Sequence, residues 1–199
     1  MIEEPRGCGA FFVVVRRHAG ASSDVRVDHS LIVVMLRVRQ LAAMTSPRLA
    51  KGRQSEMGAA YAVTFATRGR APLLVQPEVA RHVITQFRLS DNEGFSRTHA
   101  WVVMPDHVHW LFSLRGDDLA SCVRCFKSRS ARAINLQLGA ARPVWQAGYF
   151  DHRIRGFDDL MSQARYIIHN PVRAGLVGSA RDYPYWGCRW ISHADSALL

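Results

Sequence analysis

The chain has few of the features that mark membrane, secreted or disulfide-stabilised proteins. None of its apolar runs reaches the roughly 18 residues that a membrane-spanning helix needs. Its four cysteines follow no disulfide-framework spacing. Since nothing indicates secretion, we expect reduced thiols in a cytoplasmic protein without a membrane partner. The cysteines are Cys8, Cys122, Cys125 and Cys188.

Lysine and acidic residues are also scarce. Lys51 and Lys127 are the only lysines among 26 basic residues, and the 16 acidic residues leave a net charge of +10. Arginine binds phosphate through two parallel hydrogen bonds and stacks on bases, so an arginine excess suits a nucleic-acid partner. A GC-rich genome would explain arginine in place of lysine, but not the excess of basic over acidic residues. The composition therefore favours nucleic-acid binding.

Composition divides the chain into four parts. Residues 1–43 hold two short apolar runs without helix caps or hairpin turns. We expect an N-terminal extension that is disordered or arises from an upstream start codon, with a small strand pair as the alternative. Residues 44–58 are polar and basic, with Arg48, Lys51 and Arg53, which predicts a flexible arm. Residues 59–190 carry the regular hydrophobic patterns of one domain, and residues 191–199 form a tail.

The hydrophobic periodicity of residues 59–190 predicts an α+β fold. Strands are expected at 61–67, 98–104, 107–114 and 144–155. Helices are expected at 77–88, from Asp117 or Asp118 to 138, and at 160–170 behind a cap at Asp158 or Asp159. This order predicts a ferredoxin-like (RRM-like) sandwich, with one antiparallel sheet of four or five strands and helices packed on one face. The aromatic residues of 183–190 are expected to pack onto the domain, with base stacking as the alternative.

The strand predicted at 107–114 displays two histidines on one face. His107 and His109 are two residues apart, so in a strand both imidazoles point to the same side. Two neutral imidazoles can hold one divalent metal ion, and an amide or carboxylate oxygen can complete the site. Isolated pairs of this kind are often structural, so the spacing alone leaves both interpretations open. The opposite face is apolar throughout, with Val108, Trp110, Phe112 and Leu114.

The helix that follows Asp118 separates its apolar and basic residues. No acidic residue stands between Asp118 and Asp151, which favours a phosphate-facing surface over ordinary solvation of a helix face. Cys122 and Cys125 have CxxC spacing without a second pair, and core packing explains them better than zinc. The basic arc consists of Arg124, Lys127, Arg129 and Arg132.

The last predicted helix carries a tyrosine outside its apolar arc. Tyr166 shares its side of the helix with Gln163 and Asn170, and this side lies outside the apolar arc that we expect to be buried. A tyrosine hydroxyl, whose pKa is about 10, could attack a phosphodiester if a nearby cation lowered that pKa, giving a phosphotyrosine. Asn170 is explained equally well as the polar end of a helix that Pro171 stops. The buried arc is Leu160, Ala164, Ile167 and Ile168.

Four segments together resemble a known family. These segments are similar to motifs of the HUH single-strand tyrosine transposases. They are PDHVHW at 105–110, KSRSAR at 127–132, VWQAGYFDHRI at 144–154 and RYIIHNPVRAGLV at 165–177. The resemblance is stronger to their REP-associated branch, and it runs from about residue 61 to residue 190 in the family's order.

The resemblance implies an active site and a substrate. His107 and His109 would be metal ligands, Asn170 a third ligand and Tyr166 the nucleophile, with Mg²⁺ or Mn²⁺ as cofactor. The family cuts single-stranded DNA hairpins with short flanking guide sequences and becomes joined to the 5′-phosphate while a 3′-hydroxyl leaves. It also implies a monomer near the nucleoid, without an obligate protein partner. The basic arm and the C-terminal tail would help to hold the hairpin, with candidate contacts at Arg48, Lys51, Arg53, Arg68 and Arg70.

Two other functions remain open from the sequence. A non-catalytic nucleic-acid-binding domain could use the same sheet, and a metal-dependent hydrolytic nuclease would use water in place of Tyr166. Rolling-circle initiators and relaxases share the two-histidine motif but fit less well. The initiators carry a lysine where Asn170 stands, and relaxases place the tyrosine before the histidines and add a third histidine.

Overall fold

The structure is a computed structural model that describes residues 55–116 and 118–192. The strands are β1 (Ala60–Ala66), β2 (Ser96–Val103), β3 (His107–Leu114), β4 (Phe150–Ile154) and β5 (Trp186–Cys188). The helices are α1 (Pro77–Asn92), α2 (Leu119–Gln137), α3 (Phe157–Ile168) and the short α4 (Asn170–Arg173). The expectations for residues 1–43, for most of the basic arm and for the end of the tail lie outside the described residues.

The five strands form one antiparallel sheet in the order β4-β1-β3-β2-β5. The two strands predicted at 98–104 and 107–114 form a hairpin, because β2 and β3 pair directly across the Pro105-Asp106 turn. Alternation of apolar and polar residues in β1 and β3 produces these strands, because each buries every second side chain on one face. The predicted α+β class with an antiparallel sheet of four or five strands is confirmed.

One face of the sheet packs against α1 and α2. Val108, Trp110 and Phe112 of β3 are fully buried there, as the sequence predicted. Trp110 lies against Phe87 of α1 and Phe126 of α2, with ring centroids 5.5 and 4.8 Å apart. Each such aromatic pair adds about 0.5–1.5 kcal/mol beyond the burial of its area. The main core therefore lies on the side of β3 that faces away from the histidines.

The other face of the sheet packs against α3. Ala164, Ile167 and Ile168 form a second cluster with Val102 of β2 and Leu111 of β3. The expectation that helices lie on one face holds for α1 and α2 but not for α3. β2 explains the difference, because Ala100 to Val103 are buried on both faces of the strand. A helix must therefore pack on the second face as well. The histidine side of the sheet is consequently the side that carries α3.

Two boundaries differ from those predicted. The region 144–155 contains a short strand, Phe150–Ile154, and Trp145 forms only an isolated bridge with Thr67. Gly148, with a left-handed φ of 71°, separates the two. Gly156 stands at the N-terminus of α3, so Asp158 and Asp159 lie in its first turn, where acidic residues complement the helix dipole. The predicted cap at Asp118 is confirmed, since its side chain accepts a hydrogen bond from the Ser121 amide at 2.7 Å.

The aromatic C-terminal segment packs onto the histidine side of the domain, as expected. Tyr183 Oη donates to the Val103 carbonyl at 2.7 Å, and Trp186 Nε1 donates to the Ala180 carbonyl at 2.7 Å. Burial raises the pKa of Tyr183. Within residues 55–116 and 118–192, no helix combines the length and apolarity of a membrane span.

Candidate active site

The two histidines of β3 converge on one point on the α3 side of the sheet. His107 Nε2 and His109 Nε2 are 3.1 Å apart. The ring centroids are 4.8 Å apart, with an interplanar angle of 79°. The alternation of β3 explains the shared direction, because side chains two residues apart project to the same face. The predicted display of both imidazoles away from the main core is confirmed.

Each imidazole is fixed through its other ring nitrogen. His107 Nδ1 lies 2.6 Å from Asp106 Oδ1, and His109 Nδ1 lies 2.8 Å from Thr64 Oγ1. Thr64 reaches His109 because the two residues are opposite each other in the β1–β3 register. Contacts of this kind hold metal-binding histidines in one orientation and one tautomer. Here they leave both Nε2 atoms directed at the same point.

Arg70 extends this arrangement beyond the hairpin turn. Its Nη1 donates to Asp106 Oδ2 at 3.4 Å. Arg70 has a left-handed φ of 56°, an uncommon conformation for a residue with a side chain, and its amide donates to the Thr67 carbonyl at 3.0 Å. Such backbone strain is often retained at functional sites. The turn thus places the Arg70 guanidinium beside the carboxylate that orients His107.

Burial, assisted by neighbouring positive charges, keeps His109 neutral. Burial lowers the pKa of His109 to about 3, and the positive charges of His107, Arg70 and Arg173 act in the same direction. Burial opposes ionisation of Asp106, but the hydrogen bond and charge of His107 and the charge of Arg70 outweigh it. The pKa of Asp106 is therefore held below its ordinary value. The site pairs an ionised carboxylate with a neutral imidazole whose Nε2 can bind a cation.

Tyr166 lies on the exposed side of α3, as the helical wheel predicted. Its side chain is 46% exposed, whereas Ala164 and Ile167 on the same helix are buried. The Arg173 guanidinium carbon lies 4.1 Å from the centre of the Tyr166 ring. This is a cation–π contact, and it limits the directions that the ring can take.

Asn170 links the end of α3 to the start of α4. Its Nδ2 donates to the carbonyl of Tyr166 at 3.0 Å and to that of Ile167 at 3.3 Å. These bonds fix the plane of the amide and satisfy carbonyl groups at the helix end. They use the nitrogen of the amide, so the oxygen remains as the atom suited to a cation. The predicted position one turn beyond Tyr166 is confirmed, while its metal-binding role stays a prediction.

Known proteins identify the chain's family. The family model described as IS200-like transposase matches residues 56–170, which include the histidines, Tyr166 and Asn170. The chain belongs to this transposase family. The resemblance predicted from the four sequence segments is thereby confirmed, and with it DNA strand transfer by tyrosine chemistry.

Two curated relatives and one solved structure show how far the similarity extends. The REP-associated tyrosine transposase of Escherichia coli is 30% identical over 127 residues, which are 63% of this chain and 72% of that protein. A relative from Haemophilus influenzae is 31% identical over 99 residues, 44% of this chain and 56% of that protein. A REP-associated tyrosine transposase solved with a REP hairpin matches with a TM-score of 0.56 and 28% identity. That match covers 72% of this chain and 82% of the other.

The histidine pair of this transposase fits two ligand positions of a divalent ion. Two nitrogen ligands about 2.1 Å from a metal and at a right angle to each other are about 3.0 Å apart. The observed separation of 3.1 Å agrees with that value. In the part of the chain that the structure describes, no three His, Cys, Asp or Glu side chains cluster to hold a metal. The amide oxygen of Asn170 stays the predicted third ligand.

The basic face of α2 lies on the far side of the sheet from the histidines. Lys127 Nζ donates to the carbonyls of Gln146 and Gly148, both at 2.7 Å, and burial lowers its pKa. Arg129 forms an ion pair with Glu93, an acidic residue that α1 brings next to α2. The structure therefore separates this face from the histidine site and gives Lys127 a role in holding the segment before β4. The phosphate contacts expected of Arg124, Lys127, Arg129 and Arg132 stay predictions.

Of the candidate contacts around the arm, the structure describes two. Arg70 joins the histidine site, and Arg68 lies at an open cleft of about 480 Å³ that Arg142 also lines. Arg48, Lys51 and Arg53 lie outside the described residues.

Sequence reasoning missed three residues of this transposase site. Asp106 had no predicted role, although its place next to His107 was a signal. The contact of Thr64 with His109 can be recognised only once the β1–β3 register is known. Arg173 stands in the segment RYIIHNPVRAGLV, seven residues after the tyrosine, where the short α4 turns it back over the ring.

Proposed function

We propose that this chain nicks and rejoins single-stranded DNA at hairpin (REP-like palindromic) sequences through a 5′-phosphotyrosine on Tyr166. The observation that carries the proposal is an exposed tyrosine on the helix that packs on the same sheet face as two convergent imidazoles. Arg173 contacts the tyrosine ring, and its charge contributes to the lowered pKa of His109, which supports assigning both residues to one site. The solved relative bound to a REP hairpin supports the choice of substrate.

His107, His109 and the amide oxygen of Asn170 are the proposed ligands of a Mg²⁺ or Mn²⁺ ion. When bound, such an ion polarises the phosphodiester and stabilises the charge that develops on it. The contacts of Asp106 and Thr64 with the Nδ1 atoms keep the imidazoles in the orientation that binding needs. The hydrogen bond and charge of His107, with a smaller contribution from Arg70, hold the pKa of Asp106 below its ordinary value.

Strand transfer then follows from the chemistry of Tyr166. Its hydroxyl oxygen forms a bond to phosphorus, the bond from phosphorus to the 3′ oxygen breaks, and the 5′-phosphate becomes joined to the protein. The phenol loses its proton, and the departing 3′ oxygen takes one up. Attack by a second 3′-hydroxyl reverses these steps, releases Tyr166 and rejoins the DNA. One phosphodiester replaces another, so no external energy source is needed.

Arg173 has two roles in this proposal. Its contact with the ring positions Tyr166, and its guanidinium supplies positive charge where the phosphate is attacked. The exposed position of both side chains leaves room for a DNA strand to reach them. The segment 165–177 therefore contributes the nucleophile, a ligand and a cation to one site.

The proposed domain organisation gives the remaining segments supporting roles. Residues 59–190 act as the catalytic domain, and residues 1–43 are not required for it. The arm at 44–58 and the tail at 191–199 hold the hairpin, with contacts from Arg48, Lys51, Arg53, Arg68 and Arg70. The protein acts as a monomer in the cytoplasm, associated with the nucleoid and without an obligate protein partner.

Formation of a covalent adduct tests the proposed function. The protein is incubated with Mn²⁺ and a labelled hairpin oligonucleotide that carries randomised single-stranded flanks, and the products are separated on a denaturing gel. Wild type and the matched control Tyr185→Phe should give a label that migrates with the protein, whereas Tyr166→Phe should give none. Cleavage that persists in Tyr166→Phe would indicate a hydrolytic nuclease. Binding without cleavage by wild type would indicate a non-catalytic domain.

A further inference from the structure

The outer strand β4 exposes an aromatic side chain beside the histidine site. Phe150 is 54% exposed. It is paired with Thr64 of β1, and Thr64 is paired with His109 of β3. Residues directly opposite each other on neighbouring strands project to the same face, so the Phe150 ring lies on the same sheet face as His109.

The register also fixes how far Phe150 is from the histidines. Neighbouring strands are about 4.8 Å apart, so two strand spacings put the Phe150 and His109 backbones about 10 Å apart. Thr64 stands between them with a small side chain whose hydroxyl is already directed at His109. A flat molecule stacked on the Phe150 ring would therefore lie next to a group bound at the histidine site.

α3 covers only one end of this part of the sheet. Ile154, at the far end of β4, is buried in the cluster with α3, whereas Phe150 and His152 are exposed. Ala60 and Ala62, which share this face of β1 with Thr64, are too small to shield the ring. Within residues 55–116 and 118–192, no other aromatic ring stacks on Phe150. An apolar ring is thus left in solvent next to the site.

Charge limits what could cover this ring. Arg70 contacts Asp106 next to His107. Arg173 contacts the Tyr166 ring, and the chain carries a net charge of +10. Positive charge at the histidine site and an exposed ring on the same sheet face suit a partner with an anionic backbone and flat side groups. Single-stranded DNA has both properties, because every base has a face that stacks on an aromatic side chain.

We propose that Phe150 is a stacking platform for an unpaired base next to the phosphate that Tyr166 attacks. The inference rests on the proposed function and adds a means of selecting substrate. A base inside a duplex has both faces covered by its neighbours, so only a base freed from its stack can lie on the ring. The platform thereby favours cleavage in the single-stranded flank of a hairpin over cleavage in the stem.

Substitution of Phe150 combined with removal of single bases tests this inference. The probe is the labelled hairpin with single-stranded flanks, together with versions in which one flank nucleotide at a time is abasic. Affinity is measured for wild type, Phe150→Ala, Phe150→Trp and the matched control Phe157→Ala, whose ring is also exposed but lies at the start of α3. Loss of one base–aromatic stack should weaken binding roughly 5- to 150-fold.

The inference expects a specific pattern across these probes. Phe150→Ala should weaken binding of the intact probe, Phe150→Trp should restore it, and Phe157→Ala should match wild type. One abasic position should weaken binding by wild type to a similar extent and should have no further effect on Phe150→Ala. That dependence shows that the ring and the base act on each other.

Three results would overturn the inference. If Phe150→Ala binds every probe as wild type does while the adduct on Tyr166 still forms, the platform is wrong and the proposed function stands. If Phe150→Ala keeps its affinity but makes residues 1–54 or 193–199 more sensitive to protease, the chain's own ends cover the ring. If wild type neither binds the hairpin nor forms an adduct, the proposed function fails and this inference fails with it.

Discussion

Replacing Asp106 by asparagine should weaken metal binding far more than it weakens the fold. The carboxylate lies 2.6 Å from His107 Nδ1 and fixes the ring that directs Nε2 towards His109 Nε2. Loss of such an orienting partner typically costs 10–100-fold in metal affinity or activity, or about 1.4–2.7 kcal/mol. The ion pair with Arg70 is also lost, but at 3.4 Å and with Arg70 39% exposed it contributes at most about 1 kcal/mol to stability.

Titration of adduct formation with Mn²⁺ measures this effect. Asp106→Asn should need roughly 10–100 times more Mn²⁺ for half-maximal adduct formation. Glu78→Gln, which removes a carboxylate from an exposed i,i+3 pair on α1, should behave as wild type. Thermal unfolding without metal should be nearly unchanged in both variants. A Mn²⁺ requirement in Asp106→Asn equal to that of wild type would refute the assignment of His107 as a ligand oriented by this carboxylate.

Three more predictions concern other parts of the molecule. Arg173→Ala should slow adduct formation at least about tenfold, since it removes the charge that the proposed mechanism uses at the attacked phosphate, and Arg173→Lys should recover part of the rate in a single-turnover assay. Tyr183→Phe should lower the free energy of unfolding in urea by about 1–2 kcal/mol, because the Val103 carbonyl loses its buried donor, and should leave the adduct yield unchanged. Arg132→Ala should weaken hairpin binding modestly and reduce the salt dependence of that binding. Because α2 lies on the other face of the sheet, the rate of adduct formation at saturating DNA should not change. An altered rate at saturating DNA would contradict this prediction.

The half of the site on β3 could be predicted from sequence because a strand has a simple period. His107 and His109 alternate with apolar residues, and that pattern alone determines which way they point. The exposure of Tyr166 followed in the same way from the helical period. Both local predictions are confirmed because neither depends on the position of another element.

The features that were missed depend on how elements meet. α3 packs on the histidine face because β2 has apolar residues on both of its sides. The alternating pattern of β3 does not predict that position of α3. Thr64 acts on His109 only through strand register, and the contact of Arg173 with Tyr166 depends on the turn between α3 and α4. The basic arc of α2 was recognised, but its position away from the site could not follow from one helix considered alone.

Peptide mapping of the DNA adduct tests the central claim most directly. Trypsin cleaves after Arg165 and Arg173, and the peptide between them, YIIHNPVR, contains Tyr166 as its only tyrosine. After nuclease treatment of the adduct, mass spectrometry should find this peptide carrying a nucleotide linked through the tyrosine oxygen. A nucleotide on another peptide, or cleaved DNA with no modified peptide, would contradict the assignment of Tyr166 as the nucleophile.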